Sequence, residues 1–291
     1  MRFISYYSGS TTRLGVVDGD TFVDLNKANP MIPPDLAQAL ASEIDLVGMA
    51  KEALVSSPRE ALNSVRLAPV VPRPGKIICL GLNYYDHAKE GGREKPTYPW
   101  FFLRSPTSLM ADQQPGLRPR VSAQFDYEAE LALVIGSRSG RHVPRDKALD
   151  LVFGYSCFND MSLRDYQKKT PQWTIGKNFD ATGGFGPQLV TADELPPGGT
   201  GLAIQLRLNG EVLQSANTSD MIFGVAETIE LLTEAMTLEP GDVIVMGTPA
   251  GVGFARTPPI WMKHDDQVEV EIERVGTLIN PIRDEVQVVI G

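Results

Sequence analysis

The stretch FDYEAELALVIG, residues 125–136, constrains this chain more than any other. Asp126, Glu128 and Glu130 stand at every second position, and Leu131 to Ile135 then run apolar without a break. A strand has a side-chain period of two, so the three acids project from one face. The apolar run that follows has the pattern of a strand covered on both sides. Carboxylates carried into a covered sheet are costly unless something positive meets them. Either this is an exposed edge strand with a solvated acidic face, or the fold buries it and supplies that positive charge; the apolar continuation favours the second.

The length of 291 residues, with 42% hydrophobic and 22% charged, allows one large domain or a large one with a small partner. A net charge of −9 argues against a nucleic-acid backbone or an anionic membrane as partner. It leaves room for a small anionic substrate, because a metal ion or a few local cations reverse the sign inside a cavity. Cys79 and Cys157 lie in the apolar stretches KIICLGL and YSCFND and read as buried, reduced thiols. The N-terminus lacks the apolar core of a signal peptide, and no run approaches the ~20 apolar residues of a membrane span. The expectation is a soluble, cytoplasmic protein.

Residues 1–70 read as a small N-terminal α/β domain. RFISYYSG and TRLGVVDGDTFVDLN are strands with a turn at VDGD, and DLAQALASEIDLVGMAKEAL holds one or two helices. The proline-rich LAPVVPRPGKI reads as a linker into a larger domain, 71–291. There, short strands dominate: KIICLGLN, ELALVIG, GYSCFND, GPQLVT, GDVIVMGTP and DQVEVEIERVGTLIN. RLNGEV is a hairpin, since Asn-Gly suits a type I′ turn. DKALDLV and SDMIFGVAETIELLTEAM are the two clear helices, the second with Ser219 or Asp220 as cap. The class is α+β, mainly β, closer to a sandwich or roll than to a doubly wound sheet. No GxGxxG or P-loop supports nucleotide binding.

Four clusters carry chemistry. Asp160 closes an apolar strand, and its convergence with the 126–130 acids would make an oxygen-only site for Mg²⁺, Mn²⁺ or Ca²⁺. In GLNYYDHAKEGG, His87 and Glu90 share a face if the segment is helical, and a carboxylate holds a histidine's tautomer for work as a base. The glycines at 91 and 92 then open a charged loop suited to a lid. His142 and His264 sit in polar, turn-like contexts and read as surface residues. In NDMSLRDYQ and WTIGKNFD, Arg164 and Gln167 are spaced to meet a carboxylate or carbonyl, and Lys177 follows on a glycine. VMGTPAGVG offers Thr248 and backbone N–H groups to an anion.

In this order and spacing the clusters resemble the fumarylacetoacetate hydrolase family. The series GLNYYDHAKE, FLRSPTSL, DYEAELALVIG, NDMSLRDYQ, GKNFD and GTPAGVG runs from about Lys76 to Ile282. The resemblance implies a mixed β-sandwich roll with a small N-terminal domain, and a homodimer. It implies Glu128, Glu130 and Asp160 as metal ligands for Mg²⁺ or Mn²⁺, with Ca²⁺ as a further candidate. His87 and Glu90 match the water-activating pair, Lys177 the lysine at the developing oxyanion, and Tyr84, Arg104, Arg164, Gln167 and Thr248 the substrate-binding positions. Arg104 departs from the pattern, since many relatives carry lysine there; a guanidinium is a planar, bidentate cation rather than a point charge. Asp126 is not a ligand in the family and reads as support for a ligand or a nearby cation.

The activity this implies is metal-dependent hydrolysis of a C–C bond in a small 1,3-diketo or 2-oxo acid, of acylpyruvate or fumarylpyruvate type, in aromatic catabolism. The alternatives are isomerisation or decarboxylation of hydroxymuconate- or oxaloacetate-like oxo acids, or hydrolysis or dehydration of a 2,4-dioxo sugar acid. A non-enzymatic alternative is a catalytically silent oxo-acid-binding protein, against which His87, Glu90 and Lys177 stand together.

Overall fold

A computed structural model describes residues 1–286. The chain begins with β1 (Arg2–Ser8), β2 (Thr11–Asp18) and β3 (Thr21–Asp24), followed by helices α1 (Leu25–Ala28), α2 (Leu36–Ala41) and α3 (Leu46–Ser56) and the short β4 (Glu60–Ala61). The β2–β3 turn falls where VDGD predicts it, with Asp18 paired to Thr21. Asp24, Asp35 and Asp45 cap the three helices through their side chains, each accepting backbone N–H groups of the first turn.

The larger part runs through β5 (Ile77–Gly81), α4 (Tyr85–Glu90), β6 (Trp100–Arg104), β7 (Leu109–Met110), β8 (Gly116–Arg118) and β9 (Phe125–Asp126). Next come β10 (Ala129–Ile135), α5 (Arg145–Ala148), β11 (Val152–Asp160), β12 (Ser162–Leu163) and α6 (Arg164–Gln167). The chain then forms β13 (Gly183–Thr191), β14 (Ala203–Leu208) and β15 (Glu211–Asn217). It ends with α7 (Val225–Ala235), β16 (Val243–Val245), β17 (Gln267–Ile272) and β18 (Gly276–Asp284). At the β14–β15 turn Asn209 and Gly210 both take positive φ, 52° and 82°, as a type I′ turn requires.

The strands build a mixed sheet in the order β4-β3-β2-β1-β13-β11-β10-β16-β5-β6, with β7 added against β13. A second sheet has the order β15-β14-β17-β18-β8. The result is a mainly β α+β fold without a barrel. β10 lies near the middle of the large sheet and is buried along its whole length. Leu131, Leu133 and Ile135 enter the core shared with the second sheet and α7, while Ala132 and Val134 enter the core on the opposite face. This two-sided burial is what the apolar run predicts.

Three segments differ from the sequence expectation. The three-acid row is not one strand: β9 ends at Asp126 and pairs with β12 in its own small sheet, and β10 starts only at Ala129. Helix α7 starts at Val225 with Gly224 as its cap, while Ser219 and Asp220 belong to a preceding 3-10 turn capped by Asn217. The delay has a cause in Asn83, whose backbone and side-chain oxygens accept the Ile222 and Phe223 N–H groups and hold that stretch out of the helix. The segment read as a linker is packed instead: Ala68, Val70 and Val71 are buried, and the Ser5 hydroxyl donates to the Val70 carbonyl. Its backbone bends between residues 70 and 73 while its apolar residues fill the core. The strand ladder itself crosses residue 70, because β1 pairs with β13.

Candidate active site and metal centre

Strand register assembles the acidic centre. In the antiparallel β10–β11 pair Ala129 faces Asn159, and the Asp160 N–H donates to the Glu128 carbonyl at 2.9 Å. The two strand ends therefore deliver Glu128, Glu130 and Asp160 to one point, where one oxygen from each lies within 4.8 Å of the others. All three side chains are buried. Asp126, displaced by the break after β9, turns elsewhere. It accepts from Arg164 Nε at 2.7 Å and from the Gly253 and Phe254 N–H groups at 2.8 and 3.0 Å.

Three buried cations answer these acids. Lys177 Nζ lies 2.5 Å from both Glu128 Oε2 and Asp160 Oδ2. Arg164 Nη2 lies 2.6 Å from Glu128 Oε1. Arg104 donates to Asp160 Oδ1, and also to the Ser108 and Thr182 hydroxyls. Four buried carboxylates against three buried cations leave one negative charge over. Burial by itself would raise the Glu128 carboxyl, but Arg164, Lys177 and His87 outweigh it and hold it at about 2. Glu130 carries the surplus: burial and the Asp160 and Glu128 charges push it well above the usual carboxylate range. Burial opposes the Lys177 charge, but Asp160 and Glu128 outweigh that and raise its pKa. A buried, oxygen-only nest with an unanswered carboxylate fits a hard divalent cation, with Glu128, Glu130 and Asp160 as its ligands.

The remaining functional side chains gather over this nest. His87 and Glu90 do share a helix face, on α4, and His87 Nδ1 meets Glu90 Oε1 at 2.8 Å. That contact leaves Nε2 for the cavity. Lys177 arrives on a 3-10 turn, Trp173–Lys177, which can pack against α6 only because residue 176 is glycine; a Cβ there would lie 2.4 Å from the Gln167 amide. Gln167 accepts from Arg164 Nη1 at 2.9 Å, and Thr248 accepts from Gln214 at 2.8 Å. His87, Glu128, Glu130, Arg164, Lys177 and Thr248 all line one cavity of about 600 Å³, with Gln167 at its wall.

Two expected substrate contacts lie elsewhere. Arg104 sits behind Asp160, engaged by the three partners above, and its side chain is fully buried away from the cavity. Tyr84 is also buried, at 2% exposure, and is not part of the cavity lining. Both belong to motifs in which only some positions point inward, a distinction that a one-dimensional pattern does not carry. The glycine-rich segment after β16 does bind anions through its backbone, but they are the protein's own. Gly247 N–H donates to Glu130 Oε2 at 2.6 Å and Gly251 N–H to Glu90 Oε2 at 2.9 Å. Gly251 has φ +105°, and a Cβ would stand 2.2 Å from the Leu213 carbonyl oxygen, so only glycine allows this path.

Several contributors are absent from the sequence reading. Asn83 ties the chain before α4 to the Phe223 and Met246 carbonyls, at 3.0 and 2.7 Å, and so fixes where His87 stands. Gln214 joins Thr248 to the Ala129 amide at the head of β10. Trp100 stacks on Trp173 at 5.4 Å and 16° to form an apolar wall. Of these, Asn83 carried a signal, because it lies inside the GLNYYDHAKE motif.

A mixed, mainly β fold with a buried carboxylate nest beside a His–Glu pair defines a class of proteins with an oxygen-only site that could hold a divalent cation. The particular family follows from the comparison: residues 76–283 match the sequence model for the fumarylacetoacetate (FAA) hydrolase C-terminal region, and the chain belongs to the fumarylacetoacetate hydrolase family. Oxaloacetate tautomerase YisK of Bacillus subtilis is 38% identical over 286 residues, covering 92% of this chain and 94% of that protein. The structure of fumarylacetoacetate hydrolase from the psychrophile Exiguobacterium antarcticum superposes with a TM-score of 0.86 at 33% identity, covering 98% of this chain and all of that one. Maleylpyruvate hydrolase from Sphingobium sp. SYK-6, in complex with manganese(II) and pyruvate, superposes at 0.81 with 31% identity, again over 98% of this chain and all of that one.

Proposed function

We propose that this protein is a divalent-metal-dependent isomerase that interconverts the keto and enol forms of a small 2-oxo acid of oxaloacetate type. The observation that carries the reading is the His87–Glu90 pair opening on the same cavity as Glu128, Glu130 and Lys177. Tautomerisation needs one base near an acidic C–H and positive charge near the carbonyl oxygen, and both are present. The likeness to an oxaloacetate tautomerase over nine tenths of the chain supports this choice over the other family activities.

A Mg²⁺ or Mn²⁺ ion held by Glu128, Glu130 and Asp160 would polarise the 2-oxo group as a Lewis acid. Neutral His87 takes the C3 proton on Nε2, while Glu90 on Nδ1 holds the tautomer and steadies the imidazolium. Negative charge developing on the C2 oxygen faces the Lys177 ammonium. Return of the proton from His87 to that oxygen completes the enol, and the reverse sequence restores the ketone. Arg164 stays fixed by Asp126 and Glu128, and its Nη1 holds Gln167 at the cavity wall.

Hydrolysis of a C–C bond in a longer acylpyruvate is the second reading. It is favoured by the apolar part of the cavity lining, where Trp100, Trp173 and Phe254 could take the acyl group of such a substrate. The deciding experiment incubates the protein with Mg²⁺ or Mn²⁺ and, in turn, oxaloacetate, fumarylpyruvate, an acylpyruvate and carboxymethyl-hydroxymuconate. Enol–keto exchange is followed by proton NMR and product mass by mass spectrometry. Accelerated exchange of oxaloacetate with no change of mass is expected; cleavage products without faster exchange would overturn the isomerase reading in favour of hydrolysis.

A further inference from the structure

The cavity mouth carries cations that the acidic centre does not use. Arg93, just beyond α4, and Lys168 and Lys169, just beyond α6, all line the cavity and are all exposed. None forms an ion pair with a carboxylate among the described residues, in contrast to Arg104, Arg164 and Lys177 deeper in. Aromatic rings hold them in place instead. The Arg93 guanidinium lies 5.3 Å over Trp100, Lys168 Nζ 4.6 Å over Phe254 and Lys169 Nζ 3.3 Å over Tyr166. Phe254 also supports the buried Arg164 at 4.6 Å, so a single ring spaces an inner cation from an outer one.

We infer that Arg93, Lys168 and Lys169 form a second anion subsite at the mouth, which selects oxo acids carrying a carboxylate at the end remote from the 2-oxo group. The inference rests on the proposed oxo-acid reaction and assigns the residues that read the second carboxylate of its substrate. Its physical basis is charge. A chain of net charge −9 repels a dianion, and three cations without carboxylate partners at the entrance reverse the local sign within about one Debye length, roughly 8–10 Å. The inner end of the substrate is met by the carboxylate nest with its metal and by Lys177. The outer cations serve the other end, and they follow directly on α4 and α6, the helices that carry His87 and Arg164.

The test compares two substrates with the same enolisable 2-oxo centre: oxaloacetate, and acetylpyruvate, which has a methyl ketone in place of the second carboxylate. Wild type and the triple variant Arg93→Ala, Lys168→Ala, Lys169→Ala are assayed with Mn²⁺, and binding of each compound to the Mn²⁺-loaded proteins is measured by calorimetry. The preference for oxaloacetate should fall about tenfold in the variant, through KM rather than kcat, as expected for loss of a few exposed charge contacts. The Lys168→Arg, Lys169→Arg variant should retain it. An unchanged preference ratio, or an equal loss for both compounds, overturns the subsite. A wild type that binds oxaloacetate preferentially but converts neither compound overturns the proposed reaction and leaves the subsite standing. Equal binding of both compounds by wild type overturns the subsite whatever the turnover.

Discussion

At the scale of single residues, Glu130 concentrates the cost of the site. Its nearest buried cations are committed to Glu128, Asp126 and Asp160, and a backbone N–H from Gly247 is its own hydrogen-bond donor. Glu130→Gln removes the surplus charge and a ligand together. The variant should therefore be at least as stable as wild type without metal, yet gain nothing when metal is added. Wild type should gain about 2.7 kcal/mol at a metal concentration a hundred times Kd. Thermal unfolding with and without Mn²⁺ measures both, and an equal metal-induced shift in the two proteins would remove Glu130 from the ligand set. His87 separates from this behaviour. His87→Ala should keep the metal-induced shift but lose roughly 10²–10⁴-fold in turnover, the usual worth of a general base. Glu90→Gln, which keeps a hydrogen bond to Nδ1 but not the charge, should lose less. Wild-type turnover by His87→Ala would dismiss the base.

Secondary-structure elements show how far sequence reasoning reaches. Periods and turn chemistry are local, so β10, the Asn209-Gly210 hairpin and the α4 face bearing His87 and Glu90 could be placed from sequence. The meeting of Asp160 with Glu128 depends on the register of β10 on β11, which no local pattern states; the residues raised that convergence only as a condition, and the family resemblance assigned it. The break between β9 and β10, the late start of α7 and the inward or outward aim of Tyr84 and Arg104 depend on distant partners such as Asn83 and Thr182. One element-scale device is testable by pH. Asp24 caps α1 by accepting the Asn26 and Lys27 N–H groups and pairs with Arg13 at 2.7 Å. Burial pushes its carboxyl up, but the bonds from Tyr6, Arg13 and the Lys27 amide outweigh this and lower it from its ordinary 3.8. Its stabilisation is therefore fully present above 3.8 and is lost as pH falls through the lower folded value. Asp24→Asn keeps a cap acceptor, since Asn caps as well as Asp, but loses the charge facing Arg13, so it should cost about 1 kcal/mol at pH 7. In urea unfolding that gap should narrow as the pH falls below 3.8; a gap that is constant or widens with acid would contradict the assignment.

For the molecule as a whole, the question is whether residues 1–70 and 71–291 behave as separate units. Backbone coupling between them is thin among the described residues: Arg2 faces Val190 and Phe3 faces Leu189 across β1 and β13, and the Thr191 N–H donates to the Met1 carbonyl at 2.9 Å. Side-chain coupling is extensive. One core contains Phe3, Leu14, Val16, Leu36 and Leu46 from the first part together with Ile77, Val134, Phe185, Val243 and Val245 from the second. Val134 belongs to β10, so the strand that begins at the acidic nest has its other face covered partly by the first seventy residues. Removing those residues would expose apolar surface at about 25 cal/mol for every Å² uncovered, on the back of the active-site strand. The two parts should therefore open together. Native-state hydrogen exchange should give the amides of β1 and β2 the same opening free energy as those of β10 and β11, with both sets rising equally when Mn²⁺ binds. A lower plateau for β1 and β2, insensitive to the metal, would instead establish residues 1–70 as an independent domain and relieve them of any part in holding the site.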